Sequence, residues 1–512
     1  MREGQHIKES SFPRMRESSD FVSANQRRWI PAFAGMTALL RGALFICCLG
    51  PVSATAALPE TLAQALKNAG IAPANVALWV APANGGAPSL QHNVDEAFNP
   101  ASVMKLVTSS AAIELLGPGY TWRTEALLRG PLQGGVLQGD LVLRGGGDPA
   151  LTWDRFGSFL RDLRARGLRE IRGNVLLDRS LFAPIVQDNF DDQPQRAYNA
   201  APDALLVNFK AISVRLTPAA ARQPIAAVSL VPLAPFNIDN QLVASSGGCG
   251  DWRGQIQSEL LSQGEGFVLR LAGSMPASCG ERVLNLAAHD GPRLAASVFR
   301  ALWAELGGRL DGTVREGTTP PDATPFANWQ SPTLVEVLRD INKYSNNVMA
   351  RHLLLTLGRS DTQAQGLTPQ MGVQRIRDWL ANRQTALPGL VLENGSGLSR
   401  HERISAAGLG NLLQSMWQSP RMPDLVATLP IAGEDGTARR RFSGQPSAGR
   451  AYLKTGSLND VMSTAGYVQD ARGQWQVVVL MITGPRAEAG EAATLAALRV
   501  VAEAAPATSR LR

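Results

Sequence analysis

Three short groupings of hydroxyl, amine and amide side chains occur in order along this chain. Ser102 and Lys105 form S-x-x-K, Ser345 and Asn347 form S-x-N, and Lys454-Thr455-Gly456 is followed by Ser457. A serine hydroxyl is a weak nucleophile and needs a base to take its proton as it attacks. On a helix, positions i and i+3 share a face, so the Lys105 amine is expected beside the Ser102 hydroxyl. A lysine serves as base only when it is neutral part of the time, which a neighbouring cation or a dry site brings about. Lys454 is a candidate for that cation, and its charge would also hold a substrate carboxylate. Free backbone N–H groups where the Ser102 helix begins, with the N–H of Ser457 on a sheet edge, would receive an oxyanion. The chemistry such a set performs is acyl transfer through a serine ester.

Composition sharpens this reading. After residue 56 the chain has five lysines, Lys67, Lys105, Lys210, Lys343 and Lys454. Two sit in the groupings, and Lys343 is two residues before Ser345. Arginine stays charged, so lysine at these points in an arginine-rich chain suggests an amine that must lose its proton. S-x-x-K and K-T-G with an S-x-N between them are the set used by serine acyl-transferases that react with penicillin. No metal or cofactor is expected. His92, His289, His352 and His401 form no H-E-x-x-H and read as surface or core residues. Gly145-Gly146-Gly147 has no following G-K-[S/T], so it reads as a tight turn and not a phosphate loop.

Several elements must position these groups. Residues 58–68 read as a helix, 76–80 as a strand, and 102–116 as a helix stopped by Gly117-Pro118. From about 124 to 285 short strands and Gly-rich turns dominate, which suggests a mostly β insertion. Helical texture returns at 294–306, 334–357, 371–380 and 404–417. Strands at 452–458, 464–468 and 475–483 precede a last helix at 487–504. The expected class is mixed α/β, an antiparallel sheet covered by helices. The expected division is a leader over 1–56, a catalytic domain from 57–123 and 286–512, and the insertion over 124–285.

Beyond the triple, longer stretches resemble the class C low-molecular-mass penicillin-binding proteins, the type-4 D-alanyl-D-alanine carboxypeptidases/endopeptidases of peptidase family S13. Asn99-Pro-Ala-Ser-Val-Met-Lys105 resembles their active-serine segment. Gly145-Gly-Gly-Asp-Pro149, Gly173-Asn-Val-Leu-Leu-Asp178 and Tyr198-Asn-Ala200 resemble motifs of their insertion. Asn394-Gly-Ser-Gly-Leu-Ser-Arg400 resembles their D-G-S-G-L-S-R, with Asn in place of Asp. Leu429-Pro-Ile-Ala-Gly433 and Asp435-Gly436 precede K-T-G as they do there. The resemblance implies a β-lactamase/transpeptidase-like domain split by two accessory domains, one nested in the other. It implies hydrolysis of the terminal D-Ala-D-Ala bond, and of D-Ala–meso-diaminopimelate cross-links, in peptidoglycan. Ser102 would be the nucleophile, Lys105 the base and Ser345 a proton relay. Asn347 would bind the substrate peptide, and Lys454 and Thr455 its carboxylate. Peptidoglycan peptides are the implied substrate and β-lactams the implied inhibitors.

The leader and the cysteines point outside the cytoplasm. Arg41, an apolar stretch from Gly42 to Gly50 and Ala54-Thr55-Ala56 read as a signal peptide cleaved near Ala56. Residues 1–35 fit neither signal nor domain, and Met36 is the expected start. Cys47 and Cys48 lack the upstream small residues of a lipid-attachment site. Cys249 and Cys279 would then be the only cysteines left, and an oxidised compartment suggests a disulfide worth roughly 3–4 kcal/mol. The whole chain carries +7. Its basic residues are scattered and not striped, which argues against a nucleic-acid partner. No run after residue 60 is long enough to span a membrane. Nothing in the sequence sets an oligomeric state. Two alternatives remain, a serine β-lactamase and a non-catalytic peptidoglycan-binding protein. The E-x-x-L-N of the class A lactamases is spelled by Glu281-Arg-Val-Leu-Asn285, but upstream of Ser345.

Overall fold

The computed structural model describes residues 58–185, 190–360 and 365–504. The expected signal peptide, Cys47, Cys48 and Met36 lie outside them. The central sheet has five antiparallel strands in the order Leu90–His92, Val76–Pro82, Trp475–Thr483, Val461–Gln469 and Ala451–Leu458. Its inner strands are buried at nearly every position because both faces are covered. Side chains alternate between faces along a strand. Val76, Leu78 and Val80 therefore pack with Leu62, Leu66, Ala497 and Val501 of two terminal helices, Glu60–Ala69 and Glu491–Ala502. Ala77, Trp79 and Ala81 face the opposite core. That core holds the helix Lys105–Leu115, buried almost all round among the helices Leu334–Lys343, Asn347–Leu357 and Pro369–Asn382. A helix with no polar stripe is one that the fold encloses.

A second core lies in the chain between the first and second motifs. Its five-stranded sheet runs Val314–Glu316, Val175–Asp178, Asp140–Arg144, Arg123–Arg129, Thr324–Gln330. Two three-stranded sheets cover Ala211–Ala287, and the sulfurs of Cys249 and Cys279 are bonded within this stretch. The expected return to the catalytic domain at 286 is corrected here. Thr324–Gln330 pairs with Arg123–Arg129, and helix Gly291–Glu305 buries Leu294, Val298, Phe299 and Leu302 in the second core. The second core thus runs to about residue 330. An amphipathic pattern reveals that a helix has an apolar face, not which core the face covers. The stretch is also less purely β than expected. Trp153–Ala165 is a helix that buries Phe156, Phe159, Leu160 and Leu163, a 3–4 spacing.

The helical stretch expected over 334–357 is two helices. The first begins in a capping box, with the Thr333 N–H donating to Glu336 at 2.8 Å. It ends at Lys343. The second starts at Asn347, capped by Asn346, whose side chain accepts the Met349 N–H at 3.1 Å. Between them Ser345 has φ of 57°, a left-handed conformation that costs a non-glycine residue energy.

Candidate active site

Ser102 lies in a 3-10 turn, Ala101–Met104, that runs directly into the helix starting at Lys105. In such a turn positions i and i+3 eclipse, which aligns the two side chains more closely than an α-helix would. The Lys105 Nζ lies 2.9 Å from Ser102 Oγ and 2.7 Å from Asn347 Oδ1. It also donates to the Ser396 carbonyl. The Lys105 side chain is wholly buried. Burial, and next the charge of Lys454, hold its pKa well below the ordinary lysine value. Arg351 pulls the same way and Glu402 opposes.

The break between the two helices brings Ser345 to the other side of the cleft. The Lys454 Nζ lies 3.0 Å from Ser345 Oγ and 2.7 Å from the Thr455 carbonyl. Burial, aided by Arg441, brings Lys454 down to about 7. Thr455 donates to Thr437 Oγ1 at 2.8 Å. The strand Ala451–Leu458 is an edge of the sheet and lies against the Ser102 turn. A Cβ on Gly456 would fall 2.3 Å from Ser463 Oγ and 2.9 Å from Ser102 N, so only glycine permits this approach. Ser457, next along the strand, is exposed.

The structure therefore brings Ser102, Lys105, Ser345, Asn347, Lys454, Thr455 and Gly456 into one site, with Ser457 on its edge strand. Lys343 takes no part in it. Its amine turns to Asp435 and to the Leu429 carbonyl, 2.9 Å away. It thereby fastens the loop that carries Thr437 under the edge strand. The insertion reaches the site at Tyr198, whose carbonyl accepts from Asn347 Nδ2 at 3.3 Å. Glu281-Arg-Val-Leu-Asn285 is remote in role. It overlaps the strand Arg282–Ala287 of the second core, where Asn285 accepts the Ser213 hydroxyl at 2.7 Å.

Sequence reading gave no role to three parts of the site, two of them within stretches it had singled out. Asn99 accepts the Ala101 N–H and donates to the Ser399 carbonyl, both at 2.9 Å, which ties the serine turn to the loop 394–400. Gly397 of that loop has φ of 82° and would meet the Ala101 carbonyl at 1.9 Å if it had a Cβ. Glu402, fully buried, accepts three backbone N–H groups of the loop. Burial pushes its carboxyl up, against those donors and Lys105. The one signal for it was an acid two residues past the end of the N-G-S-G-L-S-R motif. Asn394 itself is structural. Its amide donates to the Leu398 carbonyl at 2.9 Å and its oxygen accepts the Ser396 N–H at 2.9 Å. Among the described residues no group of three or more metal-ligating side chains gathers. No helix among them is long and apolar enough to cross a membrane.

Known proteins are similar to this one along most of the chain. The chain is 30% identical over 398 residues to a D-alanyl-D-alanine carboxypeptidase of Actinomadura sp. strain R39, covering 74% of this chain and 72% of that protein. It is 25% identical over 389 residues to the D-alanyl-D-alanine carboxypeptidase DacB of Haemophilus influenzae, covering 75% and 80%. The crystal structure of penicillin binding protein 4 (dacB) from Haemophilus influenzae superposes with a TM-score of 0.71 at 22% identity, over 86% of this chain and 98% of that one. The fold is the mixed α/β, transpeptidase-like one. Residues 58–504 match the D-Ala-D-Ala carboxypeptidase 3 (S13) family, and the chain belongs to that family of hydrolases.

Proposed function

We propose that this chain is a serine DD-peptidase that hydrolyses the terminal D-Ala-D-Ala bond of peptidoglycan peptides, and also their D-Ala–meso-diaminopimelate cross-links, through an ester on Ser102. The observation that carries this reading is the buried Lys105 amine 2.9 Å from the Ser102 hydroxyl. Binding alone requires neither a nucleophile nor a base made neutral by burial. Lys454 and Thr455 take the substrate carboxylate, and Asn347 holds the peptide. Ser102 Oγ attacks the carbonyl carbon of the penultimate D-alanine while Lys105 Nζ takes its proton. The oxyanion is met by the backbone N–H groups of Ser102 and Ser457, across the close approach that Gly456 allows. The C–N bond then breaks. Its nitrogen receives, through Ser345, the proton that Lys105 took, and Lys454 Nζ lies 3.0 Å from Ser345 Oγ. Water attacks the ester, returns a proton to Ser102 and releases the shortened peptide.

The second core is proposed as an accessory unit inserted between Ser102 and Ser345, with Ala211–Ala287 nested in it. The chain is proposed to be exported to the periplasm, where its substrate is found. A related structure holds a β-lactam, and β-lactams are proposed to acylate Ser102 here. Incubation with a fluorescent penicillin and peptide mass mapping tests the reading. The label is expected on Ser102 in stoichiometric amount, released slowly, and absent in Ser102→Ala. Rapid catalytic turnover of nitrocefin would instead favour a β-lactamase, and a label on another residue would sink the proposal.

A further inference from the structure

A carboxylate that no motif contains lies behind the base. Glu402 Oε1 accepts the backbone N–H groups of Glu393, Asn394 and Gly395 at 3.0, 3.0 and 3.1 Å. Three successive N–H groups that converge on one oxygen make an anion-binding concavity. The next carbonyl along the chain, that of Ser396, accepts from Lys105 Nζ. On the other side, Thr108 Oγ1 of the serine helix donates to the Gly395 carbonyl at 2.8 Å. Glu402 thus grips the turn whose carbonyl orients the base. The side chain at 394 brings no charge of its own, and its amide donor is committed to the Leu398 carbonyl, a bond that an aspartate could not make. Glu393, the other acid of the loop, is engaged by Ser399 and His401.

We propose that Glu402 is a positioning residue for acyl transfer. It holds the loop Glu393–Ser396 so that the Ser396 carbonyl faces Lys105, and it supplies the negative charge that offsets the cations around the base. Those cations are Lys454 from the edge strand and Arg351 from the helix Asn347–Leu357, and the Glu402 charge acts on Lys105 in the opposite sense. The ionised form of Glu402 makes Lys105 hold its proton more tightly, and burial, which pushes the Glu402 carboxyl up, limits this hold on the base to the pH range above its own titration.

This inference rests on the Ser102–Lys105 reading. The test is the second-order rate of acylation by a fluorescent penicillin, followed across pH in wild type, Glu402→Gln and Glu402→Asp. Gln keeps an oxygen acceptor for the loop and removes the charge, so the acid limb of the profile is expected to move to lower pH by roughly one unit. Asp keeps the charge, so its limb is expected at the wild-type pH. A role in folding alone would change the amount of active protein or its melting temperature and leave both limbs in place. An unmoved limb in Glu402→Gln overturns the proposal, as does a limb in Glu402→Asp displaced like that of the neutral variant. Each variant decides without the other if one fails to fold. Absence of a Ser102 label in wild type would instead bring down the reading beneath, which keeps the two failures distinct.

Discussion

Two lysine amines belong to the site, and burial is the main cause that lowers the pKa of each. Lys105 carries an added depression from the Lys454 charge. Replacing that cation, as in Lys454→Met, should raise the Lys105 pKa. The base is then free only at higher pH. With a neutral serine-reactive phosphonate, which needs no carboxylate site, the acid limb of the inactivation rate is expected to move up by roughly one unit. A limb that stays in place or moves down would mean that Lys454 does not act on the base. S-x-x-K and K-T-G were legible at this scale because each is local, a helix spacing and a strand motif. Glu402 was not, because its importance comes from a turn that folds three N–H groups of residues 393–395 onto it. Nor was the fate of Lys343, two residues from Ser345 in sequence yet turned to Asp435 by the break that follows it.

At the scale of elements, the site depends on a helix that ends early and another that begins after three intervening residues. The apolar pattern over 334–357 continues across the break, so only Ser345 and its cap Asn346 mark it, and both are ordinary residues. The second of these helices also docks on the insertion through His352, which is wholly buried. Its Nδ1 donates to the Gly147 carbonyl at 3.0 Å and its Nε2 accepts the Asp203 N–H at 3.1 Å, which requires the neutral ring. Asp203 is in turn held by Arg179 at 2.7 and 2.8 Å and by Lys210 at 3.0 Å. Burial brings His352 down to about 4. Between about 6.5 and 4 the unfolded chain binds a proton that the folded chain refuses, so this group costs stability as pH falls through that window. Across it the cost reaches about 3 kcal/mol. Asp148, raised by burial to about 6, acts in the opposite sense, losing stability for the fold as pH rises. Its effect is common to both proteins when wild type is compared with His352→Gln. The variant is expected to gain about 3 kcal/mol relative to wild type as pH falls from 6.5 to 4. Denaturant unfolding at a series of pH values measures this, and a difference that does not vary with pH would contradict a neutral, buried His352.

Over the whole molecule, the antiparallel sheet and its covering helices were readable from apolar runs and the final strand order. The extent of the insertion was not. Thr324–Gln330 closes the second sheet against Arg123–Arg129 about two hundred residues away in sequence, and no local pattern records such a pairing. The result is a core whose first and second motifs are separated in the chain by another core, yet meet where Lys105 bonds Asn347. The most direct test of the account is digestion of purified peptidoglycan peptides by wild type and Ser102→Ala, analysed by mass spectrometry. Wild type is expected to remove terminal D-alanine and to split cross-linked dimers, and the variant to lose both by at least about a thousandfold. Equal activity in Ser102→Ala would contradict the central claim.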